Sequence, residues 1–127
     1  MKYLIDTNIL IDHLRGDSKA TVFLQHIEEA RFQAGISVIT EYELLASTKL
    51  KEPDITKIET LLELMPRLAI TSQTVRIAAK FHRNYGTDMA DALIAATAFF
   101  AKATLVTRNF KHFQNIRELH TQTLPSY

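Results

Sequence analysis

The chain has no cysteine among its 127 residues, which excludes disulfides, thiolate-held metals and cysteine nucleophiles together. That composition fits a cytoplasmic protein. Glycine and proline number three each, too few for linkers or low-complexity stretches, so the elements must join through short turns. Charge of either sign is not in excess: the net charge is +1, and the balance alone points to no nucleic-acid partner. No apolar run approaches the roughly 18 residues of a membrane span, so no membrane association is expected. The opening Met1–Asp6 reads as a core strand, interrupted by charge too soon to be a signal peptide.

What is present is a 46% hydrophobic chain led by Leu, Ile and Ala, enough to fill one core. A single domain over residues 1–127 is expected. Five short β-rich segments stand out at Lys2–Ile5, Gly35–Ile39, Leu68–Ile70, Thr104–Thr107 and Leu119–Thr121. Helical patterns fill the intervals at Asn8–Arg15, Ser18–Ala30, Glu41–Leu50, Asp54–Met65, Ser72–Tyr85 and Asp88–Lys102. Strands alternating with helices imply right-handed crossovers, hence an α/β fold with a mostly parallel sheet and helices on both faces. Ligands in such folds bind beyond the carboxyl ends of the strands.

Acidic residues fall at that edge. Asp6 follows the first strand and Glu43 lies beyond the second. Asp91 opens the helix leading into the fourth, and Arg108 and Asn109 follow that strand. Carboxylates gathered in one cleft repel each other, and a hard cation such as Mg²⁺ or Mn²⁺ removes the conflict. Such an ion suits phosphodiester hydrolysis. Helix capping is the plainer account of the same residues: Thr40-x-x-Glu43 and Asp88-x-x-Asp91 have the form of capping boxes, and Asp6 can cap the first helix. Spacing alone leaves both accounts open.

Four segments in order resemble the motifs of PIN domains: Asp6-Thr7-Asn8-Ile9-Leu10-Ile11-Asp12, Ser37-Val38-Ile39-Thr40-Glu41-Tyr42-Glu43-Leu44-Leu45, Asp91-Ala92-Leu93-Ile94-Ala95-Ala96-Thr97-Ala98, and Thr104-Leu105-Val106-Thr107-Arg108-Asn109. In length and motif order the chain is similar to VapC-type toxins of type II toxin–antitoxin systems, across residues 1 to 121. The resemblance implies a PIN-like fold, with a five-stranded sheet in the order 3-2-1-4-5. It also implies Mg²⁺- or Mn²⁺-dependent endoribonuclease activity, an RNA substrate, a cognate antitoxin and a homodimer. Asp6, Glu43 and Asp91 match the catalytic, metal-binding acids, and Asn8 matches a supporting polar residue. Asn109 stands where many members carry a fourth acid, which weakens the case for a second metal. Asp88, one turn before Asp91, is expected to cap the helix or support the site.

Basic residues at the predicted cleft mouth, Arg108 and Lys111, are candidates for RNA phosphate, as is Arg83 on the helix that also carries Lys80 and His82. A solvated surface is the simpler account of that helix face. His112 is expected to hydrogen-bond near the site. Of Phe99, Phe100, Phe110 and Phe113, most are expected in the core, and Tyr42 at a dimer or antitoxin surface. Two other classes compete: a PIN-like module that binds RNA or protein without cleaving, motivated by Asn109, and a phosphatase or receiver domain using Asp6. The phosphatase pattern wants a second Asp where Asn8 stands.

Overall fold

The computed structural model describes residues 1–125. Strands β1 (Tyr3–Ile5), β2 (Ala34–Ser37), β3 (Arg67–Leu68), β4 (Thr104–Val106) and β5 (Thr121–Gln122) form one sheet in the order β3-β2-β1-β4-β5. All four pairings are parallel. The α/β class and the strand order are as expected. β1 lies at the centre, with Tyr3 opposite both Ala34 and Thr104, and Leu4 opposite Gly35 and Leu105. The chain leaves β1 towards β2 on one side and returns through β4 on the other, so the strand order reverses beside β1 and opens a crevice at its carboxyl end.

Alternation along β1 builds two cores. Tyr3 and Ile5 face one layer, where Ile9, Leu10, Phe23, Leu24, Ile58 and Leu62 pack from α1 (Thr7–Leu14), α2 (Ser18–Glu28) and α4 (Glu52–Leu62). Leu4 and Leu105 face the other, with Phe81, Ile94 and Phe113 from α5 (Ser72–Tyr85), α6 (Met89–Ala101) and α7 (Phe110–Phe113). Helices thus cover both faces, and each wholly buried Phe contributes about 1.5–3 kcal/mol by leaving water. Ala92, Ala95 and Ala96 are buried on α6, and side chains that small let α5 approach closely.

Element boundaries differ where side chains override pattern. The β-branched run Val38-Ile39-Thr40 begins α3 (Val38–Leu45) instead of extending β2, because Ser37 is the N-cap and its Oγ accepts from the Ile39 N–H at 3.1 Å. Thr40 is therefore an interior helical residue, and the expected Thr40–Glu43 capping box does not form. The short α7, which no helical pattern announced, carries Lys111 and His112. Phe113 is buried, but Phe99, Phe100 and Phe110 are about two-fifths exposed, against the expectation that most of the four lie in the core. The apolar faces of α6 and α7 are wider than the core they meet.

The turn from α5 into α6 aims Asp91 at the crevice, and Gly86 makes that turn with φ +71°. A Cβ there would meet nothing within 4 Å, so backbone strain alone decides its cost. Gly86→Ala is expected to destabilise the protein by about 1 kcal/mol, read from urea denaturation midpoints.

Candidate active site

Asp6 leaves β1 as the N-cap of α1. Its Oδ1 accepts from the Thr7 N–H at 2.9 Å, and its Oδ2 from the Thr107 hydroxyl at 2.7 Å. The Thr107 oxygen also accepts from the Asn109 N–H at 2.9 Å, tying the end of β4 to the acid. The capping account holds for Asp6, and it leaves the acid at the carboxyl end of the central strand. Only 4% of the residue is exposed. Burial pushes its carboxyl above the usual range; the bonds from Thr107 and Thr7 oppose that, and the charges of Asp91 and Glu43 push it further up. The three acids named from sequence therefore sit within electrostatic reach of one another.

Glu43, in α3 and exposed, receives the Thr7 hydroxyl proton on Oε1 at 2.7 Å. With that proton committed, Thr40 must donate in the 2.9 Å contact between the two threonine hydroxyls. Thr7 thus bridges Asp6 and Glu43, and its contact with Thr40 couples α1 to α3. Asp91, in the first turn of α6, is approached by His112 Nδ1 at 3.0 Å from Oδ2. Its carboxyl is raised by burial, against the pull of His112 and with the added push of Asp88 and Glu43.

Asp88 occupies the N-cap position of α6, yet its side chain makes no capping hydrogen bond, so the expected Asp88–Asp91 capping box is absent. It is exposed and lines a cleft of about 190 Å³ with Asp91, Lys111 and His112. Asn109 is exposed and makes no side-chain cap to α7. Asn8 Oδ1, two residues from Asp6, is buried with no hydrogen-bond partner among the described residues. A buried oxygen in that condition is suited to a water or a cation.

Among the described residues no three Asp, Glu or His side chains close into a finished metal cage. The oxygens are turned instead to protein donors: Thr7 and Thr107 on Asp6, Thr7 on Glu43, and His112 at Asp91. The donor set itself fits a hard divalent ion, being carboxylate and amide oxygen, with two acids raised partly by mutual repulsion.

Arg108 has a structural duty that its place in the sequence did not announce. Its guanidinium spans Asp12 at 2.7 Å and Asp17 at 2.9 Å, joining the end of β4 to α1 and to the N-cap of α2. Those bonds hold the Asp17 carboxyl below its ordinary range. Arg108→Ala is expected to lower the melting temperature, because two acids lose their partner; an unchanged melting temperature with weaker RNA binding would return Arg108 to the RNA surface. Lys111 is exposed at the cleft, whereas Arg83 is exposed in the last turn of α5 and is not among the residues lining it. Lys80 lies 3.8 Å from Glu118, and His82 Nδ1 bonds the Thr87 carbonyl at 2.8 Å. Sequence reading missed Thr7, Thr40 and Thr107; their hydroxyls became meaningful only once tertiary structure brought them to the acids.

Comparison with known proteins bears on the fold and the family. Residues 3–119 match the PIN domain. Ribonuclease VapC19 of Mycobacterium tuberculosis is 34% identical over 121 residues, covering 91% of this chain and 95% of that one. Among solved structures, a toxin–antitoxin complex from Klebsiella pneumoniae matches with TM-score 0.80 and 29% identity, over 99% of this chain and all of that one. VapBC-1 from nontypeable Haemophilus influenzae matches with TM-score 0.80 and 27% identity, over 98% of each chain.

Proposed function

The chain belongs to the PIN-domain family, and from that premise we propose that it is the endoribonuclease toxin of a type II toxin–antitoxin pair. The observation that carries the reading is Asp6 held at the carboxyl end of the central strand within reach of Glu43 and Asp91. Similarity to a ribonuclease over nearly the whole of both chains supports the same activity, and likeness to toxin–antitoxin complexes supports an antitoxin partner. Asp6, Glu43 and Asp91 would hold Mg²⁺ or Mn²⁺, with Asn8 supporting. Bound there, the ion would supply an acidified water and neutralise charge growing on a phosphate. Thr7 and Thr107 fix the orientation of Asp6 through both of its oxygens, and Thr7, in contact with Thr40, also bonds Glu43. Lys111 provides positive charge for the RNA backbone at the cleft.

Exposed Val75, Phe99 and Phe100 on the packed helices α5 and α6 support a homodimer, and exposed Tyr42 beside Glu43 supports an antitoxin contact close to the acids. No helix among the described residues is long and apolar enough to cross a membrane. Purified protein incubated with total RNA in Mn²⁺, Mg²⁺ or EDTA, with the ends mapped, tests the activity. Discrete cuts that vanish in EDTA are expected. RNA binding without cuts in any metal would favour the non-cleaving module, with the neutral amide of Asn109 as its cause.

A further inference from the structure

The cleft at Asp91 does not end there. It adjoins a second cleft of about 500 Å³, and the two share Tyr85 and Asn115. The remaining lining of the second is Asn84, Gln114 and Arg117, with no carboxylate. Tyr85 is fixed between the two: its hydroxyl donates to Glu118 Oε1 at 2.6 Å, and its ring is half-buried. The surface thus passes from acids, through a rigid aromatic wall, to three amides and a guanidinium.

From this juxtaposition we propose that the two clefts form a track for unpaired RNA on the Asp91 side of the scissile phosphate, an inference that rests on the ribonuclease reading. Side-chain amides carry both donors and acceptors and match the edges of bases, adenine above all, while arginine matches guanine or phosphate. Those edges are free only in an unpaired strand, and proteins hold such strands by combining edge contacts with aromatic surfaces and cationic grooves. Lys111 in the first cleft and Arg117 in the second place one cation in each, spaced along the path a backbone would follow. A protein partner fits less well, since anchoring residues at such interfaces fill apolar pockets and this lining is polar. Asn84, Gln114, Asn115 and Arg117 are all exposed, so truncating them leaves the core untouched.

The test has two arms. In an Asp6→Asn background, binding of a fluorescent unpaired RNA is followed by anisotropy across salt concentrations. Arg117→Glu is expected to raise Kd about tenfold and to reduce the salt slope by about one, whereas the charge-matched Lys57→Glu on α4 changes neither. With Asp6 intact, the combined Asn84→Ala, Gln114→Ala and Asn115→Ala protein is expected to raise KM about tenfold and to broaden base preference on one side of the cut. Wild-type cutting accompanied by unchanged Kd, salt slope and cut sites in these variants overturns the track and leaves the nuclease standing. Weaker binding by Arg117→Glu in a protein that never cuts supports the track and removes the nuclease.

Discussion

Asp6→Asn is expected to reduce metal-dependent RNA cleavage by at least about 10³-fold while leaving the fold as stable as before, or more so. The activity side follows from charge. A cation at this site contributes several kcal/mol of stabilisation to a phosphate transition state, and each 1.36 kcal/mol is about tenfold in rate. Asparagine keeps the shape and one acceptor but removes the buried charge nearest the strand end. The stability side follows from the raised Asp6 carboxyl. Its proton is held more tightly folded than unfolded, so its contribution is fully present below the ordinary carboxylate range and is lost as pH rises through the folded value. Ionised Asp6 therefore opposes folding at neutral pH, and asparagine does not. The Thr7 N–H keeps its acceptor, and the Thr107 hydroxyl, which already accepts from the Asn109 N–H, can accept from the new amide but loses the acceptor of its own proton, which offsets part of the gain. Thermal denaturation of both proteins should show the variant gaining on wild type as pH rises from about 4 to 7. Cleavage by the variant at the wild-type rate would dismiss Asp6 from the site. Unfolding of the variant would mean that its charge is structural.

Much of this arrangement was legible because the sheet is parallel. Parallel strands put every carboxyl end on one edge, so residues following Ile5 and Val106, and those opening the helix before β4, had to converge there. Alternating strand and helix patterns, with few glycines and prolines to interrupt them, conveyed the class. The end of β2 was not legible. Val38-Ile39-Thr40 favours a strand by composition, but Ser37 caps α3 and the Thr40 hydroxyl meets Thr7, thirty-three positions away in sequence. The ion pairs of Arg108 were hidden for a related reason. Its position after β4 suggested a cleft cation, yet its partners Asp12 and Asp17 belong to α1 and the N-cap of α2, brought near only by the crossover. The exposure of Phe99, Phe100 and Phe110 was equally hidden, since helical spacing states which residues share a face and not how far a core extends.

Mn²⁺ is expected to raise the melting temperature of wild type by roughly 10 °C at a hundredfold excess over its Kd, and to do little for Asp6→Asn or Asp91→Asn. Binding at that excess adds about 2.7 kcal/mol to stability, and each kcal/mol moves the transition of a domain this size by several degrees. The apoprotein is primed for such a gain. Asp6 and Asp91 are both raised chiefly by burial, and Glu43 adds to the push on each. A cation reverses that repulsion, and it needs deprotonated oxygens, so the gain should shrink as pH falls and protons compete. That competition sets in at higher pH than for ordinary carboxylates, because both acids are raised. At Asp91 the ion must also compete with His112, which lies 3.0 Å from one oxygen. His112→Ala should therefore keep the Mn²⁺ shift, whereas Asp91→Asn should lose it. Equal shifts in wild type, Asp6→Asn and Asp91→Asn would place the ion elsewhere on the protein. No shift in any of them would leave the three acids without a cation and return them to capping and support.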